Sequence, residues 1–193
     1  MENQVTSIMI VGVGGQGTLL ASRILGHALL SQGYDVKVSE VHGMSQRGGS
    51  VVTYVKYGSQ VFSPVVEKGE ADVILAFERL EAARALPYLK KSGQLIVNDQ
   101  RTDPMPVITG VAEYPSDILE KMKAAGANVL AVDGLSLAEQ AGSAKAVNVV
   151  LIGVLSKVMG FEEAVWQNAL EEVVPAKFLE MNKTAFVLGR KVL

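Results

Sequence analysis

Two glycine-rich segments, separated by one predicted helix and one predicted strand, most constrain how this chain can fold. The first follows a short apolar run, precedes a helical pattern, and contains Gly12, Gly14, Gly15, Gln16 and Gly17. Glycines between a strand and a helix allow a tight turn and a close approach of the backbone to a phosphate. The segment therefore predicts an anion-binding turn, against the alternative of a glycine turn kept only for packing.

The second segment lies just beyond the next predicted strand, where the loops of an open parallel sheet converge. It contains Gly43, Met44, Ser45, Gln46, Arg47, Gly48, Gly49 and Ser50. Its glycines leave backbone N–H groups free beside a guanidinium that can bind a phosphate or a carboxylate bidentately. We expect Arg47 to contact an anion or to anchor an interface; the alternative is a solvated arginine in a flexible turn.

The order of predicted elements indicates an α/β protein with a Rossmann-like, mostly parallel sheet and a helical C-terminus. Predicted strands cover residues 7–13, 36–41, 73–77, 94–98 and 128–133, and a β-hairpin insertion pairs residues 50–57 with residues 60–63. Predicted helices cover residues 18–32, 78–91 with a bend at Pro87, and a segment capped by Ser116. In the C-terminal third, residues 147–158 are apolar nearly all round, and two amphipathic segments follow them. We expect one domain over residues 1–193.

Composition excludes several classes of function. The net charge is −2, without a long basic cluster, which argues against a nucleic-acid or membrane-surface partner. The chain contains no cysteine and only two histidines, so it cannot ligate an iron–sulfur cluster through cysteine, and a histidine metal site is not expected. Without a signal peptide or a long apolar stretch, the expected location is the cytoplasm.

Few side chains suggest bond-making chemistry, and the sequence predicts no catalytic residue. Glu40 ends the second strand, about where an NAD-binding domain places the acid that binds the ribose; the alternative is a polar strand end. His42 has no evident nucleophile to pair with. Four acids fall at loop or helix starts, where helix capping is the ordinary explanation: Asp99, Asp103, Asp117 and Asp133.

The two glycine-rich segments together resemble a known family. With residues 40–51, which read Glu-Val-His-Gly-Met-Ser-Gln-Arg-Gly-Gly-Ser-Val, the first segment is similar to the beta subunits of indolepyruvate:ferredoxin oxidoreductases. These beta subunits correspond to the gamma-type domain of the 2-oxoacid:ferredoxin oxidoreductases. The likeness covers essentially the full length, including residues 148–153 and 175–189.

The resemblance implies the reaction of a whole complex, in which a 2-oxoacid is decarboxylated on thiamine diphosphate and its acyl group passes to coenzyme A. Ferredoxin is reduced through iron–sulfur clusters, and a larger partner subunit holds these clusters, the thiamine diphosphate and its magnesium. This chain has only Val132-Asp133-Gly134 where a thiamine enzyme needs Gly-Asp-Gly. The resemblance therefore implies an accessory subunit, inactive alone, whose glycine loops and Arg47 contact coenzyme A or dock the partner.

Three alternatives remain at this point. The chain could be the gamma subunit of an oxidoreductase for pyruvate, 2-oxoisovalerate or 2-oxoglutarate. It could be an NAD(P)-binding Rossmann enzyme that uses Glu40. It could also be an assembly module that binds no small molecule.

Overall fold

A sheet with helices on both faces forms the centre of the protein in a computed structural model, which describes residues 5–43 and 48–193. Its six strands are β1 (Thr6–Val13), β2 (Asp35–His42), β3 (Ser50–Gly58), β4 (Ala71–Ala76), β5 (Leu89–Asn98) and β6 (Asn128–Val132). They are ordered β2-β3-β1-β4-β5-β6. Only β3 runs against the others, so the predicted mostly parallel α/β sheet is confirmed.

Eight helices are found in the described residues, and the last three make the C-terminal third helical as predicted. They are α1 (Thr18–Ser31), α2 (Arg79–Ala85), α3 (Met105–Ile108), α4 (Ile118–Ala124), α5 (Gly134–Gln140), α6 (Val147–Met159), α7 (Glu163–Val173) and α8 (Leu179–Arg190). Single 3-10 turns at Leu86–Tyr88, Ala144–Ala146 and Ala176–Phe178 connect some of them.

The core has two layers because the sheet is covered on both faces. Along β1, Ile8 and Ile10 face α1 and the C-terminal helices, whereas Met9 and Val11 face α2 and α4. Burial on both faces explains why this strand reads as a continuous apolar run and not as an alternating one. Helix α6 is buried nearly all round, as predicted, and packs against α1, α5, α8 and β5.

The β-hairpin is present, but its predicted partner strand was wrong. β3 pairs antiparallel with β2 on one side and with β1 on the other, and residues 60–63 form no strand. The Val61 amide instead donates to the Asp35 carboxylate at the start of β2, at 2.7 Å. The inserted strand therefore separates β1 from β2, which stands at the edge of the sheet.

Three local predictions also need correction. The predicted helix over residues 78–91 ends early, in the 3-10 turn that contains Pro87, and β5 already begins at Leu89. Ser116 does not cap α4, because Asp117 is the residue that precedes that helix, and no side chain caps it. Of the four acids expected to cap helices, Asp133 does so, at the start of the unpredicted helix α5.

Candidate functional site

The two glycine-rich segments meet at the edge of the sheet formed by the carboxyl ends of its parallel strands. The β1–β3 ladder pairs Val13 with Ser50. Beyond it, the Gly14 amide donates to the Gly49 carbonyl at 2.8 Å, and the Gly48 amide donates to the Gly14 carbonyl at 3.3 Å. The expectation that these loops lie together is confirmed for the described residues.

Half of the second segment lies outside the described residues. These are Met44, Ser45, Gln46 and Arg47. Their contacts with an anion or a partner subunit stay predictions, as does that of Gly43, which follows the exposed end of β2.

The first segment forms a left-handed turn that feeds directly into α1. Gly15 has a φ of +104° and Gly17, the residue before the helix, has a φ of +86°, a region that side-chain-bearing residues rarely adopt. A Cβ on Gly12 would lie 3.0 Å from the Cβ of Phe77. The first amides of a helix have no acceptor within it, so this turn can donate hydrogen bonds to an anion.

Two predicted site side chains form hydrogen bonds within the protein. The Gln16 amide closes the turn: its Oε1 accepts from the Val13 amide at 2.7 Å, and its Nε2 donates to the Phe77 carbonyl at 3.4 Å. The Ser50 hydroxyl donates to the Glu81 carboxylate at 2.5 Å, toward α2. The structure thus gives both residues a positioning role, and their contact with a ligand stays a prediction.

Two clefts flank the glycine turn, and Gly15 and Gly17 line both. The first, of about 450 Å³, is bordered by Glu40 and His42 and is called here the acidic cleft. The second, of about 520 Å³, lies on the other side of the turn and is bordered by Phe77, Gln100, Leu135 and Lys145. Because its charged side chain is a lysine, we call it the donor cleft.

Asn98, at the end of β5, connects residues that line the donor cleft. Its Nδ2 donates to the Phe77 carbonyl at 3.1 Å and to Gln100 Oε1 at 2.9 Å, and its Oδ1 accepts from the Gly134 amide at 3.1 Å. Asn98 is 1% exposed, and a buried amide satisfied in this way is costly to replace. Asn98 therefore fixes the ends of β4 and β5 and the start of α5 relative to one another.

Asn148, near the start of α6, fastens that helix to the glycine turn. Its Nδ2 donates to the Gly17 carbonyl at 3.3 Å, and its Oδ1 accepts from the Val149 amide at 2.9 Å. A Cβ on Gly17 would lie 2.5 Å from this Nδ2. The turn is thus held by a residue 131 positions away in the sequence.

Glu78 looks like a catalytic acid by its burial, but its contacts show a structural role. One carboxylate oxygen accepts from the Leu80 and Glu81 amides, and the other accepts from the Thr102 amide and the Tyr114 hydroxyl. Burial, reinforced by the bond to Glu78, raises the pKa of Tyr114, so the phenol remains a neutral donor. Glu78 thereby caps α2 and holds the segment after β5.

The site contains functional candidates that the sequence pattern did not reveal, namely Asn98, Gln100, Lys145 and Asn148. A polar residue at the end of a buried strand could have drawn attention to Asn98, but Lys145 lies in no recognisable motif. Across the described part of the chain, no three acidic or histidine side chains converge to hold a metal ion. In that same part, no helix combines the length and the apolar character needed to cross a bilayer.

Comparison with known proteins decides the family. The model of the pyruvate ferredoxin/flavodoxin oxidoreductase family matches residues 7–192. The chain is also 46% identical to an indolepyruvate oxidoreductase subunit IorB from Thermococcus kodakarensis, over 96% of this chain and 94% of that protein. The chain belongs to this oxidoreductase family. Its place there is that of an accessory subunit, as the two glycine-rich segments led us to expect.

Solved structures show the same fold. Subunit PORC of pyruvate oxidoreductase from Thermotoga maritima superposes with a TM-score of 0.75 at 20% identity, covering 97% of this chain and 96% of that one. A 2-oxoglutarate:ferredoxin oxidoreductase from Magnetococcus marinus, solved with 2-oxoglutarate, coenzyme A and succinyl-CoA, gives 0.74 at 18% identity. The match covers 99% of this chain but 31% of that one, so the fold there is one part of a longer polypeptide.

Proposed function

We propose that this chain is the accessory subunit of a thiamine-diphosphate-dependent arylpyruvate:ferredoxin oxidoreductase. The observation that carries the proposal is the 46% identity with an indolepyruvate oxidoreductase subunit over nearly the whole chain. The pyruvate oxidoreductase subunit of known structure is only 20% identical. This contrast favours an aryl pyruvate over pyruvate, 2-oxoisovalerate or 2-oxoglutarate as the substrate class. Location in the cytoplasm stays a prediction from the sequence.

In the proposed reaction the 2-oxoacid loses carbon dioxide, and its acyl group forms a thioester with coenzyme A. The two electrons released reduce oxidised ferredoxin, and the thiol proton goes to solvent. Thiamine diphosphate supplies the electron sink for the decarboxylation. Cysteine ligation of the clusters does not fit this chain, which has no cysteine. We therefore assign the clusters, the thiamine diphosphate and its magnesium to the larger partner subunit.

The role of this chain's own residues is to bind and orient coenzyme A and to cover the partner's pocket. The glycine turn offers amides at the start of α1, and the second glycine-rich segment is hydrogen-bonded to it through Gly14. The guanidinium of Arg47 would add a bidentate contact to a phosphate. Bound coenzyme A in the structurally similar enzyme from Magnetococcus marinus supports this assignment.

The NAD(P)-enzyme alternative is disfavoured by the position of Glu40. A dinucleotide-binding domain needs the acid at the end of the strand next to the one that carries the glycine turn. Here β3 lies between β1 and β2, which moves Glu40 away by one strand spacing of about 4.8 Å.

The direct test is to co-express the chain with a larger subunit that carries thiamine and iron–sulfur motifs. We expect indolepyruvate- and coenzyme A-dependent reduction of a viologen dye by the complex, and none by either subunit alone. Pyruvate in place of indolepyruvate serves as the substrate control. Full activity of the larger subunit without this chain would contradict an accessory role, and tight binding of NADH by this chain would favour the alternative.

A further inference from the structure

The donor cleft has a chemical character that the glycine-rich segments alone do not provide. Besides Gly15 and Gly17 of the turn, it is lined by Phe77, Gln100, Leu135 and Lys145. The acidic cleft, bordered by Glu40 and His42, lies on the opposite side of the turn. The donor cleft is therefore a second surface at the same turn, built from β5, α5 and the residues before α6.

The orientation of the Gln100 side chain follows from its neighbours. Asn98 Nδ2 is identified as the donor because it bonds the Phe77 carbonyl, and Asn98 Oδ1 accepts from the Gly134 amide. The atom of Gln100 that receives the second bond from Asn98 Nδ2 must then be its oxygen. Its NH₂ group is left without a partner among the described residues, so Gln100 offers two N–H donors at the cleft.

Lys145 adds a positive charge to these donors. The residue is exposed beside the cleft, and no carboxylate in the described parts of the chain lies within 4.0 Å of its ammonium group. Its backbone amide is held by the Ser143 hydroxyl at 3.3 Å, which fixes the short turn that carries it. The acidic cleft, by contrast, carries the Glu40 carboxylate, which repels an anion.

We infer that the donor cleft binds a phosphate group of coenzyme A, with Lys145 and the Gln100 amide as its ligands. The inference rests on the proposed function and deepens it, because it places the phosphate on the Lys145 side of the glycine turn. Phe77 and Leu135 give the same cleft an apolar wall beside its donors. A phosphate is negatively charged and rich in acceptor oxygens, so it complements the ammonium and amide donors of this cleft.

The test measures the dissociation constant of coenzyme A by calorimetry on the co-purified complex, without a 2-oxoacid. Lys145→Met removes the charge, and Gln100→Glu replaces the free NH₂ with an anionic oxygen while keeping the oxygen that accepts from Asn98. We expect each to weaken binding about tenfold or more, as loss of a charge-assisted contact does. Lys157→Met at the far end of α6 and Gln140→Glu at the end of α5 make the same charge changes outside the cleft. They should change binding less than about twofold.

A second arm repeats the titrations with 3′-dephospho-coenzyme A. If the effect of Lys145→Met disappears, the bound group is the 3′-phosphate; if it persists, the group is the diphosphate, and both results support the inference. Unchanged coenzyme A binding by Lys145→Met and Gln100→Glu overturns it, as does a wild-type complex that binds no coenzyme A. A raised KM for indolepyruvate with unchanged coenzyme A binding would assign the cleft to the 2-oxoacid carboxylate, and would also overturn it.

The outcomes separate the inference from the proposed function. A wild-type complex that reduces the dye with indolepyruvate, while Lys145→Met binds coenzyme A normally, retains the function and rejects the cleft. A complex without indolepyruvate activity, in which Lys145→Met still loses coenzyme A affinity, rejects the function and retains the cleft.

Discussion

Glycine is used in opposite ways at the α6–α8 contact and at the glycine turn. In the helix contact, a Cβ on Gly153 would lie 2.2 Å from the Phe186 carbonyl oxygen, and a Cβ on Gly189 would lie 2.0 Å from that of Val150. At the turn, a Cβ on Gly15 would meet nothing within 4 Å, but the backbone φ is +104°. The first pair of glycines allows two helices to touch, whereas the turn needs glycine for its conformation and leaves it open to a ligand.

The largest effect is expected from Gly189→Ala in the helix contact. The new methyl group overlaps backbone atoms that cannot move without separating α6 from α8, so we expect a loss of about 3 kcal/mol in the free energy of unfolding. Urea denaturation of the purified chain measures it. Gly26→Ala is the matched control, since Gly26 lies in α1 with nothing within 4 Å of the new Cβ. It should stabilise by up to about 1 kcal/mol, and equal effects of the two changes would contradict this account of the contact.

Gly17→Ala should cost less stability but should weaken the binding of coenzyme A. The left-handed φ of +86° costs about 1–2 kcal/mol with a side chain, and Asn148 must move from its position 2.5 Å from the new Cβ. Gly33, which follows α1, has a similar φ of +79°, and a Cβ there would meet nothing within 4 Å. Gly33→Ala is therefore the matched control. Denaturation should therefore show a loss of stability for both variants, larger for Gly17→Ala because Asn148 must also move, while calorimetry of the complex shows weaker binding only for Gly17→Ala. Normal binding by Gly17→Ala would separate the turn from the ligand.

The smallest loss of stability is expected at α5. This helix links the helix contact with the region of the glycine turn, because it packs on α8 and the amide of its first residue, Gly134, donates to Asn98. Asp133 caps this helix, accepting from the Ser136 amide at 3.0 Å and hydroxyl at 2.7 Å. Asp133→Ala should cost about 1 kcal/mol. Asp133→Asn, which keeps a capping oxygen, should cost less.

The same cap predicts a dependence on pH. The Ser136 hydroxyl and amide lower the pKa of Asp133 below its ordinary value of 3.8. The carboxylate therefore stabilises the fold fully above that value, and the contribution is lost as the pH falls through the lowered pKa. The stability difference between wild type and Asp133→Asn should shrink below about pH 4. A difference that stays constant there would show that the charge of Asp133 does not contribute.

Features encoded within one stretch of chain were predictable from the sequence. The glycine turn between β1 and α1 follows from local residue order, and the apolar residues all round α6 predicted its burial. The position of β3 between β1 and β2 was not predictable, because it depends on the pairing of β3 with β1, a strand far from it in the sequence. The hairpin was therefore placed with residues 60–63, which form no strand and in which the Val61 amide bonds the Asp35 carboxylate at the start of β2.

The polar contacts of the site were less predictable than the fold. Asn98 and Gly134 are 36 positions apart, and Asn148 and Gly17 are 131 apart. Spacing within a motif carries no information about such bonds. Lys145 is an ordinary exposed lysine in the sequence, and only the topology brings it beside Gln100 at the glycine turn.

The central claim is that the carboxyl edge of this sheet faces the partner's cofactor pocket. Hydrogen–deuterium exchange of the chain alone and in the complex tests it most directly, because it reads both edges of the sheet in one experiment. Amides of residues 12–20, at the glycine turn, should exchange more slowly in the complex, while those of residues 59–70, at the opposite edge, should not change. Protection confined to residues 59–70, with the glycine turn unchanged, would contradict the account.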